Sequence, residues 1–205
     1  MKQIINALTI VSIFLLASCG GSENGSKTDS GESKSSTPAA AAVPTMKIDE
    51  STWVMTDLSP VSSMIPVSLK LPKDVKKEKN GNGGVDVHIS DWYDITISSN
   101  ASSSVKEAMT GDKSLSINKT ESYINGKLLI DEPNGFVCSY QMKDEANGNK
   151  YQPESHFVFY LEKDGAIYSI QDARPLSNFS IAGSAYSEAI AKQIFGSVKG
   201  SAKIN

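Results

Sequence analysis

Short apolar segments separated by turn sequences constrain the fold of this chain more than any other feature. Three segments alternate apolar and other residues with period two, which is typical of strands with one buried face; they are residues 67–71, 85–89 and 93–97. Asp164-Gly165 separates two further apolar runs, and Asp-Gly is a strong signal for a two-residue hairpin turn. Closely spaced hairpins favour an antiparallel sheet.

Less regular segments complete the predicted sheet. The sequence predicts strands at residues 53–55, 115–117, 127–131, 136–142, 156–161 and 166–170. Asn125-Gly126 and Pro133-Asn134-Gly135 are predicted turns on either side of the 127–131 strand. The lysine-rich stretch at 73–79 is predicted to be a solvated run of charges.

Two helices are predicted. Ser104 and Glu107 have the spacing of a capping box, and Gly111 is expected to end this short helix. Residues 185–198 are predicted to form the principal helix, ended by Gly200. Its expected apolar face consists of Tyr186, Ala189, Ile190, Ile194 and Val198. The fold class is therefore α+β, an antiparallel sheet with one short and one long C-terminal helix.

Three stretches resemble the PsbP/Mog1-like sandwich family. They are Val67-Ser68-Leu69-Lys70-Leu71-Pro72, Phe157-Val158-Phe159-Tyr160 with Asp164-Gly165-Ala166-Ile167-Tyr168, and Ala191-Lys192-Gln193-Ile194-Phe195-Gly196-Ser197-Val198-Lys199. The resemblance covers most of residues 52–200 and implies a single sandwich domain. It also implies an accessory or binding role, since members of that family mostly act in this way.

The N-terminal residues have the layout of a secretory signal. One positive charge at Lys2 precedes an apolar run at residues 4–16, which is shorter than the roughly 20 residues needed to span a bilayer. The small residues Ala17 and Ser18 then precede Cys19.

The motif Leu16-Ala17-Ser18-Cys19 resembles the bacterial lipobox. That resemblance implies cleavage after residue 18 and attachment of lipid, such as diacylglyceryl and palmitate chains, to Cys19. Two or more chains hold a protein stably on a membrane, whereas one holds it marginally. The alternative is an ordinary signal peptide that happens to contain a cysteine. The chain also resembles uncharacterised Bacteroidota lipoproteins with an Asp-Leu-Ser segment, here Asp57-Leu58-Ser59.

The predicted domains are a signal peptide at 1–18, a lipidated N-terminus with a flexible tether at 19–45, and one globular domain at 46–205. The tether is rich in Gly, Ser and Ala, and it lacks the aromatic residues that a packed core needs. Gly20, rather than aspartate, follows Cys19. By resemblance to enterobacterial lipoproteins, this favours the outer membrane facing the periplasm, and exposure on the cell surface stays open.

Composition limits the partners. The formal net charge is −3 and Arg174 is the only arginine, which argues against nucleic acid and against a dedicated phosphate site. No cofactor-binding motif is present. If Cys19 carries lipid, Cys138 has no disulfide partner, and we expect it to be a buried, unreactive thiol rather than a nucleophile.

Few residues suggest chemistry. Asp86 and His88 share one face of a predicted strand, with Asp91 nearby, and a solvent-facing pair is favoured over a catalytic or metal site. His156 is expected near the start of a strand, with no assigned partner. Of Trp92 and Tyr93, one is expected in the core and the other could mark a ligand patch. Asp144, Asn147 and Asn149 lack the spacing of a calcium loop and favour a polar turn.

Two functions follow from the sequence as hypotheses. The favoured one is a membrane-anchored envelope lipoprotein that acts as a non-enzymatic module and binds an envelope protein or a small ligand. The alternative is a hydrolase with a non-standard site near Asp86, His88 and Asp91. The absence of recognised catalytic motifs favours the first.

Overall fold

A computed structural model of the protein describes residues 48–118, 123–143, 153–173 and 186–205. The predicted signal peptide, Cys19 and the tether lie outside these residues. So do the polar turn containing Asp144, Asn147 and Asn149, and the segment that begins with Arg174.

Two antiparallel sheets and two helices make up the described fold, and this confirms the α+β class. In chain order the elements are β1 Trp53–Asp57, β2 Val67–Pro72, β3 Lys76–Lys79, β4 Val85–Ser90, β5 Tyr93–Asn100, α1 Val105–Ile117, β6 Tyr123–Glu132, β7 Gly135–Met142, β8 Glu154–Lys163, β9 Ala166–Ala173, α2 Glu188–Ser201 and β10 Lys203–Ile204, and a 3₁₀ turn at Glu50–Thr52 precedes β1. The larger sheet has the spatial order β3-β4-β5-β9-β8-β7-β6, and the smaller has the order β1-β2-β10.

The two helices cover opposite faces of the larger sheet. Alternate residues of a strand point to opposite faces, and on β8 Phe157 and Phe159 join the main core with α2 and β2. Tyr160, next to Phe159, joins a smaller cluster with Ala108 and Met109 of α1. Gly135 lets α2 come close, since a Cβ there would lie 2.9 Å from the Phe195 ring. The sheet is therefore the middle layer of a sandwich.

The predicted hairpins are confirmed where the structure describes them. Asp164 and Gly165 have φ angles of 53° and 77°, as a two-residue turn of type I′ requires, and they connect β8 to β9. The pairing runs from Lys163↔Ala166 to Val158↔Gln171. This register fixes which residues of the two strands lie opposite one another.

The first helix was predicted to be too short. It continues through Gly111 to Ile117, so residues 115–117 are helical and the predicted strand there is wrong. A glycine inside a helix costs only about 1 kcal/mol, and burial of Ala108 and Met109 offsets that cost. Ser104 caps the helix as predicted, but the Glu107 carboxylate accepts the backbone N–H of Ser103 rather than that of Ser104.

The second helix is shifted and its apolar face is wider than predicted. It ends at Ser201, beyond Gly200, and with 14 residues it is almost the same length as α1, which has 13. Ala189 is exposed, which corrects the predicted stripe. The buried side chains are Ile190, Ala191, Ile194, Phe195 and Val198.

One predicted turn is wrong, and one strand was not predicted. Asn125-Gly126 is not a turn but lies within β6, where the pairing with β7 shifts register as in a β-bulge. A Cβ at Gly126 would lie 2.4 Å from the Ile117 carbonyl oxygen, so the glycine admits the end of α1. Residues 76–79 of the charged run form the edge strand β3, where lysines discourage pairing with another chain.

Candidate functional site

A cavity of about 220 Å³ opens between α1 and strands β7, β8 and β9. Asp112, Leu115 and Ser116 line it from α1, because residues three and four apart share one side of a helix. The sheet contributes Cys138, Tyr140, His156, Phe157, Val158, Gln171 and Asp172. The register Cys138↔His156 brings the only described cysteine beside a histidine.

His156 lies between two carboxylates. Its Nδ1 atom is 2.7 Å from Asp172 Oδ2, and its Nε2 atom is 3.4 Å from Glu154 Oε2. The second distance suits an ion pair, and Nε2 is buried without a hydrogen-bond partner among the described residues. The imidazole therefore has one strong directional contact and one looser electrostatic contact.

Asp172 joins two strands through its side chain. It lies one residue beyond the last backbone pair of the β8–β9 hairpin. Its Oδ1 atom accepts the N–H of Phe157 at 3.0 Å, while Oδ2 binds His156. With only 2% of its side chain exposed, the carboxylate replaces a backbone carbonyl as the partner of Phe157.

These contacts fix the charge on His156. Burial by itself lowers the pKa of His156, but the charge and hydrogen bond of Asp172, together with Glu154, outweigh burial and raise the pKa to about 9. The side chain is therefore an imidazolium at neutral pH. It does not act as a general base there, because a base must be unprotonated.

Cys138 is buried, as predicted. Burial raises the pKa of its thiol to about 12, although Ser116 lowers it by a hydrogen bond. The reactive thiolate is therefore almost absent at neutral pH.

The helix side of the cavity carries a second acidic group. Asp112 accepts a hydrogen bond from the Tyr160 hydroxyl. Burial and the neighbouring Asp112 raise the pKa of Tyr160, so Tyr160 stays a neutral donor. The cavity is thus lined by two carboxylates, of Asp112 and Asp172, and by one imidazolium that is already paired.

Aromatic rings pack in a row on both sides of His156. The Tyr140 ring stacks on the imidazole with centroids 4.7 Å apart, and Tyr186 lies 5.2 Å away on the other side. The row continues with Tyr123, 4.6 Å from Tyr140, and with Tyr93, 5.4 Å from Tyr186. These ring contacts help to hold the imidazole in place.

The second histidine belongs to a different cluster, on the uncovered part of the same sheet face. His88 Nδ1 is 3.1 Å from Asp94 Oδ2, and Nε2 is 3.0 Å from Glu78 Oε1. Asp86, predicted as its neighbour, instead accepts hydrogen bonds from Thr96 and Asn80. The recorded contacts of His88 thus go to Glu78 and Asp94 rather than to Asp86 or Asp91.

The adjacent aromatic residues Trp92 and Tyr93 divide as expected. Tyr93 is completely buried, whereas Trp92 is partly buried and packs against the main core. A second cavity, lined by Thr52, Trp53, Pro72, Ile89 and Ser90 among others, does not have Trp92 in its lining. The sequence predicted that one of the two would lie in the core, without saying which, and the ligand patch considered for the other stays a prediction.

Only part of the His156 site has a signal in the sequence. The register set by the turn at Asp164-Gly165, continued one pair beyond Val158↔Gln171, places Asp172 opposite Phe157. Because successive residues of a strand point to opposite faces, this register alone would not have paired Asp172 with His156. Tyr140 and Tyr186 come from β7 and the start of α2, and no local pattern predicts their arrival.

Within the described ranges, no group of three or more His, Cys, Asp or Glu side chains is arranged to hold a metal ion. None of the helices in these ranges is long and apolar enough to cross a membrane. No protein-family model matches this sequence, and no curated protein matches it significantly.

Proposed function

We propose that the protein is a membrane-anchored envelope lipoprotein, attached through lipid on Cys19, whose domain is a non-enzymatic binding module. The cavity beside His156 is its ligand site. We further propose that the domain is a PsbP/Mog1-like sandwich, which the antiparallel sheet between two helices supports. The proposed location is the outer membrane, facing the periplasm.

The proposal rests on the fixed protonation states of two side chains that line the cavity. His156 is held as an imidazolium and Cys138 as a thiol, so neither is poised to exchange a proton or attack a substrate near neutral pH. Groups whose charge does not change suit recognition, because they present the same electrostatic surface to each ligand. Binding is therefore better supported than catalysis.

A hydrolase centred on His88 has less support. Glu78 is half exposed, and His88 lines neither the cavity beside His156 nor the two cavities bordered by Trp53 and by Lys113. Catalysis requires a place where a substrate can sit within hydrogen-bond reach of the base. The exposed cluster offers two carboxylates around one imidazole without such an enclosure.

Native mass spectrometry of the full-length protein, extracted from envelopes in mild detergent, tests the ligand site. We expect the wild type to retain a non-covalent small-molecule adduct that is lost in Ser116→Trp, because the indole would fill the cavity. Ser114→Trp is the matched control, since Ser114 is exposed on the same helix and does not line the cavity. Equal adducts in all three proteins, or none in any, would reject the cavity as the ligand site.

Cell fractionation of Cys19→Ala tests the anchor separately. The lipobox predicts that the variant is no longer processed at residue 18 as a lipoprotein and loses labelling by a palmitate analogue. A variant that is labelled and bound to the membrane as fully as the wild type would refute the lipid anchor.

A further inference from the structure

We propose that the cavity beside His156 selects a small organic cation, of the aliphatic ammonium class. This inference rests on the proposed binding function and adds the chemical class of the ligand.

The charges around the cavity favour a cation. Asp112 and Asp172 line it, and Glu154 lies behind His156. The positive charge of His156 is already shared between Asp172 and Glu154, so the site as a whole keeps an excess of negative charge. An ammonium group that entered would form charge-assisted hydrogen bonds with carboxylate oxygens.

Among the described residues, no lysine or arginine lines the cavity to pair with these carboxylates. Lys113 is next to Asp112 in the chain, but its ammonium group pairs with Asp131 and lies 5.7 Å from the centre of the Phe136 ring. The acidic groups of the cavity therefore have no cationic side chain of this helix as a partner. An anionic ligand would approach the carboxylates of Asp112 and Asp172 with no lysine or arginine of the described lining to offset their charge, and is disfavoured.

The volume and the lining side chains of the cavity limit which organic cations can bind there. A volume of about 220 Å³ corresponds to roughly seven water molecules at about 30 Å³ each, enough for a short aliphatic chain. Val158 and Cys138 supply an apolar floor, and Leu115, which is 66% exposed, stands at the rim. These side chains can contact the methylene groups of an alkyl amine.

Two other ligand classes fit less well. Sugars commonly stack on an open aromatic face, but the Tyr140 ring already contacts the rings of Tyr123 and His156, at centroid distances of 4.6 and 4.7 Å. A metal ion lacks a suitable set of three acidic, thiol or imidazole ligands in the described part of the chain. A hydrogen-bonded ammonium ion needs neither an aromatic platform nor a fixed coordination geometry.

Isothermal titration of the full-length protein with three four-carbon probes tests the inference. The probes are putrescine, 1,4-butanediol and succinate, which differ mainly in charge. We expect putrescine to bind one-to-one and the neutral and anionic probes to bind at least about tenfold more weakly, as the loss of one charge-assisted contact of about 1.4 kcal/mol implies. Succinate or butanediol binding as tightly as putrescine would overturn the inference.

Two cavity variants, each with a control outside the cavity, test whether charges in the cavity decide the affinity for putrescine. Asp112→Asn should weaken putrescine about tenfold, whereas Asp131→Asn, outside the cavity, should leave its affinity within about twofold. Because Asp112 also accepts the Tyr160 hydroxyl, Ser116→Lys provides a second test. The added ammonium group should occupy the site and abolish putrescine binding, while Ser114→Lys should not. Unchanged affinity in both cavity variants would contradict the inference.

The outcomes separate the two proposals. If a neutral or anionic probe binds and Ser116→Trp abolishes that binding, the cavity is a ligand site but its preference for cations is wrong. If no probe binds and Ser116→Trp changes no adduct in native mass spectra, the cavity is not a ligand site and both proposals fail.

Discussion

The two histidines of this protein have the same kind of partners but differ in how far those partners are exposed to solvent. Each imidazole lies between two carboxylates, His156 between Asp172 and Glu154, and His88 between Asp94 and Glu78. The side chain of Glu154 is 11% exposed and that of Glu78 is 49% exposed. His156 also contacts two tyrosine rings, whereas within the described part of the chain no aromatic ring packs against His88.

The difference shows that partner chemistry alone does not decide what a histidine does. Attraction between opposite charges is strong where water is excluded and weak where water screens it. Around His156 the carboxylates therefore fix the charge. In the His88 cluster, the carboxylate in the least favourable environment is that of Asp94. Burial raises the pKa of this carboxyl despite its contact with His88.

Removal of Asp172 should have the largest effect on stability. Asp172→Ala leaves both His156 Nδ1 and the N–H of Phe157 without their partner in a buried site, and breaking such a pair costs about 3–5 kcal/mol. Urea unfolding followed by circular dichroism measures the loss. Asp131→Ala, which removes a half-exposed carboxylate, is the control, and a cost for Asp172→Ala no greater than for this control would show that the carboxylate is not structural.

Raising the pH should reproduce part of that loss. The pKa of His156 is higher in the folded protein than the usual 6.5, so the stabilisation is complete below about pH 6.5 and disappears as the pH rises through about 9. Each pKa unit corresponds to about 1.4 kcal/mol, so a few kcal/mol are at stake.

Unfolding midpoints between pH 6 and 9.5 measure this dependence. The slope should vanish in His156→Gln and persist in His88→Gln. If both variants keep the slope of the wild type, the pKa of His156 is not the cause.

Asp94→Asn should have a smaller effect of opposite sign. The folded-state pKa of Asp94 is raised, so ionisation of this group opposes folding as the pH rises through and above 3.8. Its Oδ1 atom is buried without a hydrogen-bond partner among the described residues. An uncharged amide should stabilise the protein at pH 7 by about 1 kcal/mol, the scale of an unsatisfied buried group. A destabilised variant would mean that the contact with His88 dominates.

Glu78→Gln should have the smallest effect. The pKa of Glu78 is lowered mainly by a hydrogen bond from Lys76 and also by His88, but the side chain is half exposed and exposed pairs are screened by water and salt. We expect the unfolding midpoint to stay within experimental error of the wild type at 0.15 M salt. A clear shift would indicate that the two histidine clusters are more alike than their exposure suggests.

Local patterns predicted the strands better than the helices. Alternation identified β2, β4 and β5, because each of these strands has one buried face. The extent of α1 depended instead on the contacts of Ala108 and Met109 with the sheet. These contacts outweigh the low helix propensity of Gly111. Phe195 was missed on α2 because a stripe with spacing four is narrower than the surface that the sheet and Gly135 provide.

The candidate site was less predictable than the fold. Sequence proximity suggested Asp86 and His88, yet neighbours in sequence did not become hydrogen-bond partners. The register of one hairpin, which the turn residues determine, brings Asp172 close to Phe157, but it does not by itself direct the carboxylate to His156. The tyrosines around His156 depend on the packing of distant elements, and that information lies in the whole fold rather than in any short stretch.

The two edges of β2 in the small sheet cannot begin to pair at the same time. β2 pairs with β1, only a few residues earlier, but its other edge pairs with β10, and the Ser68 hydroxyl donates to Asn205 Oδ1 across 137 positions. β1 is therefore available to pair with β2 well before β10, whether the chain emerges from a ribosome or is exported with its N-terminus first. Until β10 pairs, β2 has one open edge and carries Leu69 and Leu71, and it is the segment on which we expect a holding chaperone to act first.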